Sequence, residues 1–279
     1  MLWKTRRRCL TLTDRAVMMG ILNVTPDSFS DGGEHDGVSQ ALGRALEMER
    51  EGAEIIDIGG ESTRPGAAAV AAKEEIARTV PVIRALREAS DVLISIDTSK
   101  SEVAAEAIKA GADIVNDVTG LTADEQMLPL CVKTGVGVVV MHMQGTPETM
   151  QKNPNYDGAG GVTAEVEKFF AERLEVLTDA GMDADAVCFD PGIGFGKSLE
   201  HNLGLLGNLS RLQKKRPLLL GVSRKSFLGQ LAPDGDPAKA HPAERDAATA
   251  EVTARAFQDG ILLHRVHNVA ANLAVLENG

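Results

Sequence analysis

The sequence has few cysteines, no excess of positive charge and no long apolar run. Its three cysteines, Cys9, Cys131 and Cys188, are widely spaced and form no C-x-x-C pair. An odd number of isolated cysteines indicates neither a disulfide framework nor a zinc site. We therefore expect a reducing, cytoplasmic environment.

The charge and hydropathy of the chain exclude further classes. A formal net charge of -11 and a pI near 5.1 argue against nucleic acid or an anionic membrane as partner, because both need a basic surface. No run of about 18 apolar residues, the length of a membrane span, occurs. The basic start of the chain is followed by no apolar segment of signal-peptide length. An anionic substrate must then be bound by a local basic pocket.

The remaining composition is that of an ordinary globular domain, with 43% hydrophobic and 25% charged residues. No linker of low complexity divides the chain. We predict one domain over residues 1–279, in which residues 1–15 are a short N-terminal extension leading into the main fold.

A strand followed by a helix repeats eight times. Apolar runs such as 17–24, 92–96 and 137–141 end in a polar residue and a loop, and apolar residues at helical spacing follow. The runs are apolar throughout, as parallel strands covered by helices must be. We predict an α/β fold, a single closed (β/α)8 TIM barrel, with an open doubly wound sheet as the alternative.

Two local predictions concern helices. Ser99 and Glu102 are spaced as a capping box for the helix that runs through Ile108. The inner stripe of one later helix is predicted from the spacing of Leu199, Leu203, Leu206 and Leu209.

The stretch from Phe189 to Lys197, FDPGIGFGK, indicates a binding site. Its three glycines let main-chain N–H groups approach a planar or anionic ligand, and Pro191 fixes the backbone before them. It is not a P-loop, since Pro191 stands where the first Gly is needed, nor a dinucleotide fingerprint, since Lys197 stands where the last Gly is needed. A plain connecting turn remains the alternative.

In a (β/α)8 barrel the active site lies at the carboxyl ends of the strands. The polar residues at those ends are Asn23, Asp57, Asp97, Asn116, His142, Asp190, Lys225, Arg265 and His267. Carboxylates and an amide suit a flat heterocycle with a row of N–H donors, and this set is Asp97, Asn116 and Asp190. An anion such as a diphosphate suits the cations Arg64, Lys225, Arg265 and His267, with Asn23 as a candidate Mg²⁺ ligand.

Eight motifs spread over residues 20–269 resemble those of dihydropteroate synthases of folate biosynthesis. In chain order they are GILNVTPDSFSDGG, GAEIIDIGGESTRPGA, SIDTSK, ADIVNDVTG, VVMHMQGTP, FDPGIGFGKS, LLLGVSRKSF and RVHNV. The resemblance implies a (β/α)8 barrel, a homodimer and a transferase that requires Mg²⁺. Its reaction joins 6-hydroxymethyl-7,8-dihydropterin diphosphate to 4-aminobenzoate and releases diphosphate. The implied route is loss of diphosphate to leave a carbocation, which the amine captures.

The resemblance also implies roles for individual residues. At the pterin it places Asp97, Asn116, Met141, Asp190, Phe195, Gly221 and Lys225. At the 4-aminobenzoate, which sulfonamides imitate, it places Phe29, Thr63, Arg64, Pro65 and Ser226. At the diphosphate it places Asn23, Thr63, Arg64, Arg265 and His267, with Asn23 also as the Mg²⁺ ligand. The catalytic set it implies is Lys225, Asp97, Arg265, Asp27 and Asp31.

Other interpretations stay open at this point. Lys225 could form a Schiff base, as lysines do in barrel aldolases. A module presenting methyltetrahydrofolate to a corrinoid methyltransferase, or a paralogue that only binds pterin, would share the deep pterin residues. His142 is expected to be structural, because it follows Met141 on the same strand and so faces the other way. Asn268 departs from the acid expected after RVH, and residues 245–250 depart from the familiar form of their helix.

Overall fold

Eight parallel strands form the centre of the molecule. The structure, a computed structural model, describes residues 1–24, 34–62, 67–146, 149–158, 160–213, 216–230 and 245–277. After a short hairpin of β1 (Leu2–Lys4) and β2 (Cys9–Thr11), the central strands are β3 (Val17–Asn23), β4 (Ala53–Gly59), β5 (Leu93–Asp97), β6 (Ile114–Asp117), β7 (Gly137–Met141), β8 (Val187–Asp190), β9 (Leu219–Leu220) and β10 (Leu263–Val266).

Helices follow the central strands in turn. They are α1 (Glu34–Arg50), α2 (Ala72–Ala89), α3 (Ser101–Ala110), α4 (Met127–Thr134), α5 (Gly161–Asp179), α6 (Leu199–Leu206), α7 (Leu209–Leu212), α8 (Ser226–Gln230), α9 (Asp246–Gln258) and α10 (Val269–Glu277). The alternation of strand and helix along the chain is the one predicted from the apolar runs.

The sheet closes into a barrel. Its strand order is β8-β7-β6-β5-β4-β3-β10-β9, with parallel pairing throughout. The two ends meet where Phe189 forms a parallel bridge with Leu218, and the Phe189 amide donates to the Pro217 carbonyl at 2.9 Å. The predicted (β/α)8 barrel is therefore confirmed, and the open sheet is not the architecture.

Two apolar layers hold the strands in place. Outward-facing residues such as Ile56, Ile94 and Val138 pack under the helices in one cluster. Inward-facing residues such as Ile55, Leu93 and Val139 fill the barrel interior in a second cluster. Adjacent residues of each strand thus enter different cores, which explains why the runs read as apolar without alternation.

The N-terminal hairpin covers the amino end of the barrel. Trp3 is fully buried in the interior cluster, and its Nε1 donates to the Ala186 carbonyl at 3.1 Å. Gly137 opens β7 directly against the hairpin, where an added Cβ would lie 2.9 Å from the Lys4 carbonyl oxygen. The opposite, carboxyl end of the barrel carries the loops.

Two helix predictions were wrong. The N-cap of α3 is Lys100 without a side-chain cap bond, and the Ser101 amide instead donates to Asp124 Oδ2 at 2.8 Å. An acid from a neighbouring loop therefore takes the place of the predicted Ser99–Glu102 box. The leucine stripe is divided between α6 and α7, and Leu203 is 42% exposed. The chain turns at residues 207–208, but Leu199, Leu206 and Leu209, on both sides of the turn, still pack against the outer apolar cluster.

The described part of the chain contains no helix long and apolar enough to cross a membrane. Cys9 is exposed, Cys131 and Cys188 are buried, and all three are free thiols.

Candidate active site

The polar mouth of the barrel follows from the period of two along each strand. The apolar interior residues Ile55, Leu93, Ile114, Cys188 and Leu263 line the lower barrel. Two or four positions further along the same strands come Asp57, Asp97, Asn116, Asp190 and Arg265. Because alternate residues of a strand share a face, these side chains point into the same mouth.

Strand register brings several of them to one level. Asn23 pairs with Gly59, Gly59 with Asp97, and Asp97 with Asn116 across neighbouring strands. Met141 pairs with Asp190 on the far side of the barrel. The residues predicted at the pterin therefore lie around one opening.

A network of buried charges lies at the base of this opening. Arg265 donates from Nε to Asp57 Oδ2 and from Nη2 to Asp97 Oδ2, both at 2.6 Å. Asn116 Nδ2 donates to Asp57 Oδ2 at 3.0 Å. Two carboxylates thus share one guanidinium, and Asp57 Oδ1 has no hydrogen-bond partner among the described residues.

This arrangement shifts the pKa of the charged groups. Burial, opposed by Arg265 and reinforced by Asp57, raises the pKa of Asp97 to about 7. Burial lowers the pKa of Arg265, but the two carboxylates outweigh it, so the net shift is upward. The guanidinium therefore stays charged, and Asp97 is the carboxyl group of the network that takes up a proton near neutral pH.

Asp190 begins the second half of the site. Its Oδ1 accepts a 2.7 Å hydrogen bond from the Gly192 amide. Its Oδ2 faces Gly221, where an added Cβ would lie 3.5 Å away. Burial raises the pKa of Asp190, while Lys225 opposes the shift. Gly221 thus leaves the second carboxylate oxygen uncovered.

Residues 191–197, the glycine loop, are held by partners for every carbonyl from 192 to 196. The Gly192 carbonyl accepts from the Phe195 amide, and the next three accept from Lys225 Nζ, Gln151 Nε2 and Lys197 Nζ. The Gly196 carbonyl accepts from the Tyr156 hydroxyl at 2.9 Å. Gly192 has a φ of +65°, and an added Cβ would lie 1.9 Å from the His142 carbonyl oxygen. The glycines are therefore needed for a close backbone approach, and the plain-turn alternative does not account for this arrangement.

Lys225 reaches this loop from the segment after β9. Its Nζ donates to the Ile193 carbonyl and lies 4.6 Å from the centroid of the Phe195 ring. Burial, reinforced by Arg265 and opposed by Asp190, lowers the pKa of Lys225 to about 8. At neutral pH the ammonium is still the main form, and a carbonyl and an aromatic face hold it in place.

The predicted anion ligands are spread around the rim. Asn23 is exposed at the end of β3, and the Nδ1 of His267 lies 2.9 Å from Ser223 Oγ. Arg265 is less available to a diphosphate than expected, because Asp57 and Asp97 already accept from two of its five N–H donors. Ser226 is exposed at the start of α8.

Several predicted residues lie outside the described part of the chain. They are Asp27, Phe29, Asp31, Thr63, Arg64 and Pro65. The two ends of the second loop are described: Glu61 accepts from the Val70 amide at 2.7 Å and from Lys100 Nζ at 2.6 Å. Glu61 therefore links the two described ends of this loop to each other and to Lys100 at the start of α3.

His142 lies on the outer face of β7, as predicted for a structural residue. Its ring contacts Phe169 edge-on, and its Nδ1 lies 3.0 Å from Lys197 Nζ. Burial and the neighbouring Lys197 lower the pKa of His142 to about 3. A neutral imidazole at this position accepts from Lys197 rather than acting as a base toward the barrel mouth.

Two residues, Asp57 and Lys197, contribute more to the site than the sequence pattern predicts. The sequence pattern places Asp57 at a strand end without a role, but the residue lies in the charge network, and its position two residues after the interior Ile55 is the signal. Lys197 was given no role, although it is 2% exposed and contacts the glycine loop. No feature of the local sequence marks its partner His142, which is 55 residues away.

A closed parallel barrel with carboxylates, an amide and a lysine at the carboxyl ends of its strands defines a (β/α)8 enzyme with a pocket for a polar ligand. Residues 19–267 match the family described as pterin binding enzyme. The dihydropteroate synthase of Escherichia coli (strain K12) is 46% identical over 253 residues, which are 90% of this chain and 86% of that protein. The chain therefore belongs to the pterin-binding enzyme family, among its dihydropteroate synthases.

Solved structures are similar over the same length. The Yersinia pestis dihydropteroate synthase with a sulfonamide drug has a TM-score of 0.90 at 43% identity, covering 100% of this chain and 98% of that one. The Xanthomonas albilineans dihydropteroate synthase in complex with 7,8-dihydropteroate has a TM-score of 0.86 at 40% identity, covering 100% and 97%.

Proposed function

We propose that the mouth of the barrel is the catalytic site of a dihydropteroate synthase. The enzyme condenses 6-hydroxymethyl-7,8-dihydropterin diphosphate with 4-aminobenzoate and releases diphosphate. The observation that carries the assignment is the deep set of Asp97, Asn116 and Asp190 opposite Lys225, in a chain of this family.

The deep residues suit the edge of a pterin ring. The bond from Asn116 Nδ2 to Asp57 fixes the orientation of the amide, which leaves Oδ1 as an acceptor. Asp190 keeps Oδ2 beside Gly221 while Oδ1 is taken by the loop. A guanidine-like edge can donate in parallel to such oxygens, and charge-assisted bonds of this kind are roughly twice as strong as neutral ones. Lys225 supplies a donor for the ring carbonyl.

The charge of the site suits the reaction. When diphosphate leaves, positive charge develops on the exocyclic methylene and spreads into the ring. Asp57 and Asp97 share one guanidinium, so the pocket carries negative charge before this step. Fixed charges in a water-poor pocket stabilise such a transition state without reorganising. The amine of 4-aminobenzoate, held at the rim, then captures the carbocation.

The amide oxygen of Asn23 at the rim fits Mg²⁺ brought with the diphosphate. An added Cβ on Gly59 would lie 3.9 Å from Asn23 Oδ1, so the glycine leaves space beside this hard oxygen ligand. The described residues contain no group of three or more His, Cys, Asp or Glu suited to a metal. Mg²⁺ commonly binds through one or two protein oxygens together with substrate phosphates. When bound, it would neutralise charge on the leaving diphosphate.

The assembly and location are also part of this proposal. We propose that the protein forms a homodimer through helices in the second half of the chain, supported by the exposed Leu203 on α6. We also propose a cytoplasmic location, supported by the three free thiols. Light scattering after gel filtration at several concentrations tests the dimer, and a monomer mass throughout would contradict it.

The test of the activity is product formation. Purified protein is mixed with dihydropterin diphosphate, 4-aminobenzoate and Mg²⁺, and 7,8-dihydropteroate is measured by mass together with released diphosphate. Lys225→Met should abolish product, whereas Lys168→Met, at an exposed position on α5, should leave it unchanged.

Two results would contradict the proposal. Absence of product from the unaltered protein that still binds the pterin would favour the non-catalytic paralogue or the methyl-carrier module. A carbonyl substrate trapped on Lys225 by borohydride would favour the aldolase interpretation.

A further inference from the structure

Lys197 is a buried cation whose contacts are with neutral groups. It is 2% exposed, and its Nζ lies within 3.3 Å of the His142 carbonyl oxygen, His142 Nδ1 and the Phe195 carbonyl oxygen. Three acceptors match the three N–H bonds of an ammonium. The described residues place no carboxylate in salt-bridge contact with it.

Such a residue is unfavourable for stability. Burial lowers the pKa of Lys197 to about 7, with Asp190 opposing the shift. A buried ammonium without a paired carboxylate loses more solvation than neutral acceptors return. Its presence therefore points to a function other than stabilising the fold.

The contacts of Lys197 connect the end of β7 to the glycine loop. One side is the main chain and ring of His142, and the other is the carbonyl of Phe195. The Phe195 ring lies under the Lys225 ammonium, and the Ile193 carbonyl accepts from the same ammonium. A shift of this loop would therefore displace both contacts that hold Lys225.

We propose that Lys197 is a positioning residue for pterin binding, which holds the glycine loop in the shape that orients Lys225. The inference rests on the placement of the pterin proposed above. It assigns to Lys197 no contact with the reacting atoms and no part in 4-aminobenzoate binding.

The test is Lys197→Met, which keeps the length of the side chain and removes its donors. The melting temperature should change little, because relief from burying a charge offsets the loss of a partner for the Phe195 carbonyl. The KM for dihydropterin diphosphate should rise by about tenfold or more, the effect of losing one charge-assisted bond that positions a ligand group. The KM for 4-aminobenzoate should stay within about twofold, since uniform structural damage would raise both.

Three further variants separate the outcomes. Lys168→Met is the matched control and should behave as the unaltered enzyme. Tyr156→Phe removes the donor to the Gly196 carbonyl at the other end of the loop and should raise the pterin KM less. Lys197→Gln retains a shorter donor, and it replaces the Met variant if that protein does not fold.

The results distinguish this inference from the proposed function. If Lys225→Met abolishes pterin binding while Lys197→Met and Lys197→Gln leave both KM values unchanged, Lys197 has no positioning role. A rise in both KM values with a lowered melting temperature would also overturn the inference. If Lys225→Met leaves pterin binding intact, the placement of the pterin itself is wrong.

Discussion

Replacing Asp97 by Asn should increase stability and decrease activity. Asp97 is 9% exposed, and burial, opposed by Arg265, raises its pKa from 3.8 to about 7. The folded protein therefore binds this proton more tightly than the unfolded chain does. The stability that protonated Asp97 provides is complete below about pH 4 and is lost as the pH rises toward 7.

The size of the effect follows from the shift. One pKa unit corresponds to about 1.4 kcal/mol, so ionising Asp97 costs about 2–3 kcal/mol more at pH 8 than at pH 5. An Asn side chain cannot ionise, and Arg265 keeps its bond to Asp57 in the variant. The unfolding free energy of Asp97→Asn minus that of the unaltered protein should therefore grow by this amount over the same pH range.

Urea titrations followed by tryptophan fluorescence measure this difference. Trp3 is the only tryptophan and is fully buried at the amino end of the barrel, so its emission reports on global unfolding. Asp91→Asn is the matched control, because the Asp91 side chain is 98% exposed. Product formation by Asp97→Asn should fall by about a hundredfold, the effect of removing one fixed group that stabilises developing charge.

A difference in unfolding free energy that is flat between pH 5 and pH 8 would refute the reasoning. It would mean that Arg265 neutralises Asp57 and Asp97 together and that the pocket holds no excess negative charge. Retained activity in the Asn variant would separately refute the role of this carboxylate.

Three other substitutions test packing around the site. Lys100→Met leaves the fully buried Glu75 without its partner at 2.7 Å and should cost about 3–5 kcal/mol of unfolding free energy; Lys109→Met, at an exposed position, is the control, and an equal effect of both would contradict the assignment. Gly192→Ala and Gly135→Ala both start from a φ of +65°, but only the first brings a Cβ against a carbonyl oxygen. Gly135→Ala should cost about 1 kcal/mol of unfolding free energy. Gly192→Ala should cost clearly more and should also lower the pterin affinity measured by calorimetry. Trp3→Phe should cost about 1–3 kcal/mol in thermal unfolding, because the buried Ala186 carbonyl loses its donor; an unchanged melting temperature would show that the bond contributes nothing.

The barrel was predictable because each strand carries the signal locally. A run of apolar residues followed by a polar residue and a loop can be recognised from the segment alone, without knowledge of the neighbouring strands. This pattern located Asp97, Asn116 and Asp190. Contacts set by barrel closure were not predictable in this way. Arg265 and Asp57 are 208 residues apart and meet only because β10 returns beside β3.

Local patterns failed where a distant group competed. Ser99 and Glu102 have the spacing of a capping box, but the carboxylate of Asp124 reaches the first turn of α3 instead. The glycine loop was recognised by its composition, whereas its fixed shape depends on side chains from other segments, namely Gln151, Tyr156, Asn202 and Lys225. Propensity describes what a segment can do alone and carries no information about such partners.

The place where the barrel closes has a consequence for the ligand. β9 has two residues, pairs with β10 at two positions, and meets β8 at the Phe189–Leu218 bridge. Asp190 lies on one side of this seam, and Gly221 and Lys225 lie on the other. A pterin that contacts both sides acts as a cross-link between β8 and β9, the two ends of the sheet order. Substrate binding and mechanical integrity are then two aspects of the same contacts, and amide hydrogens along β8 and β9 should exchange with solvent most slowly when the pterin is bound.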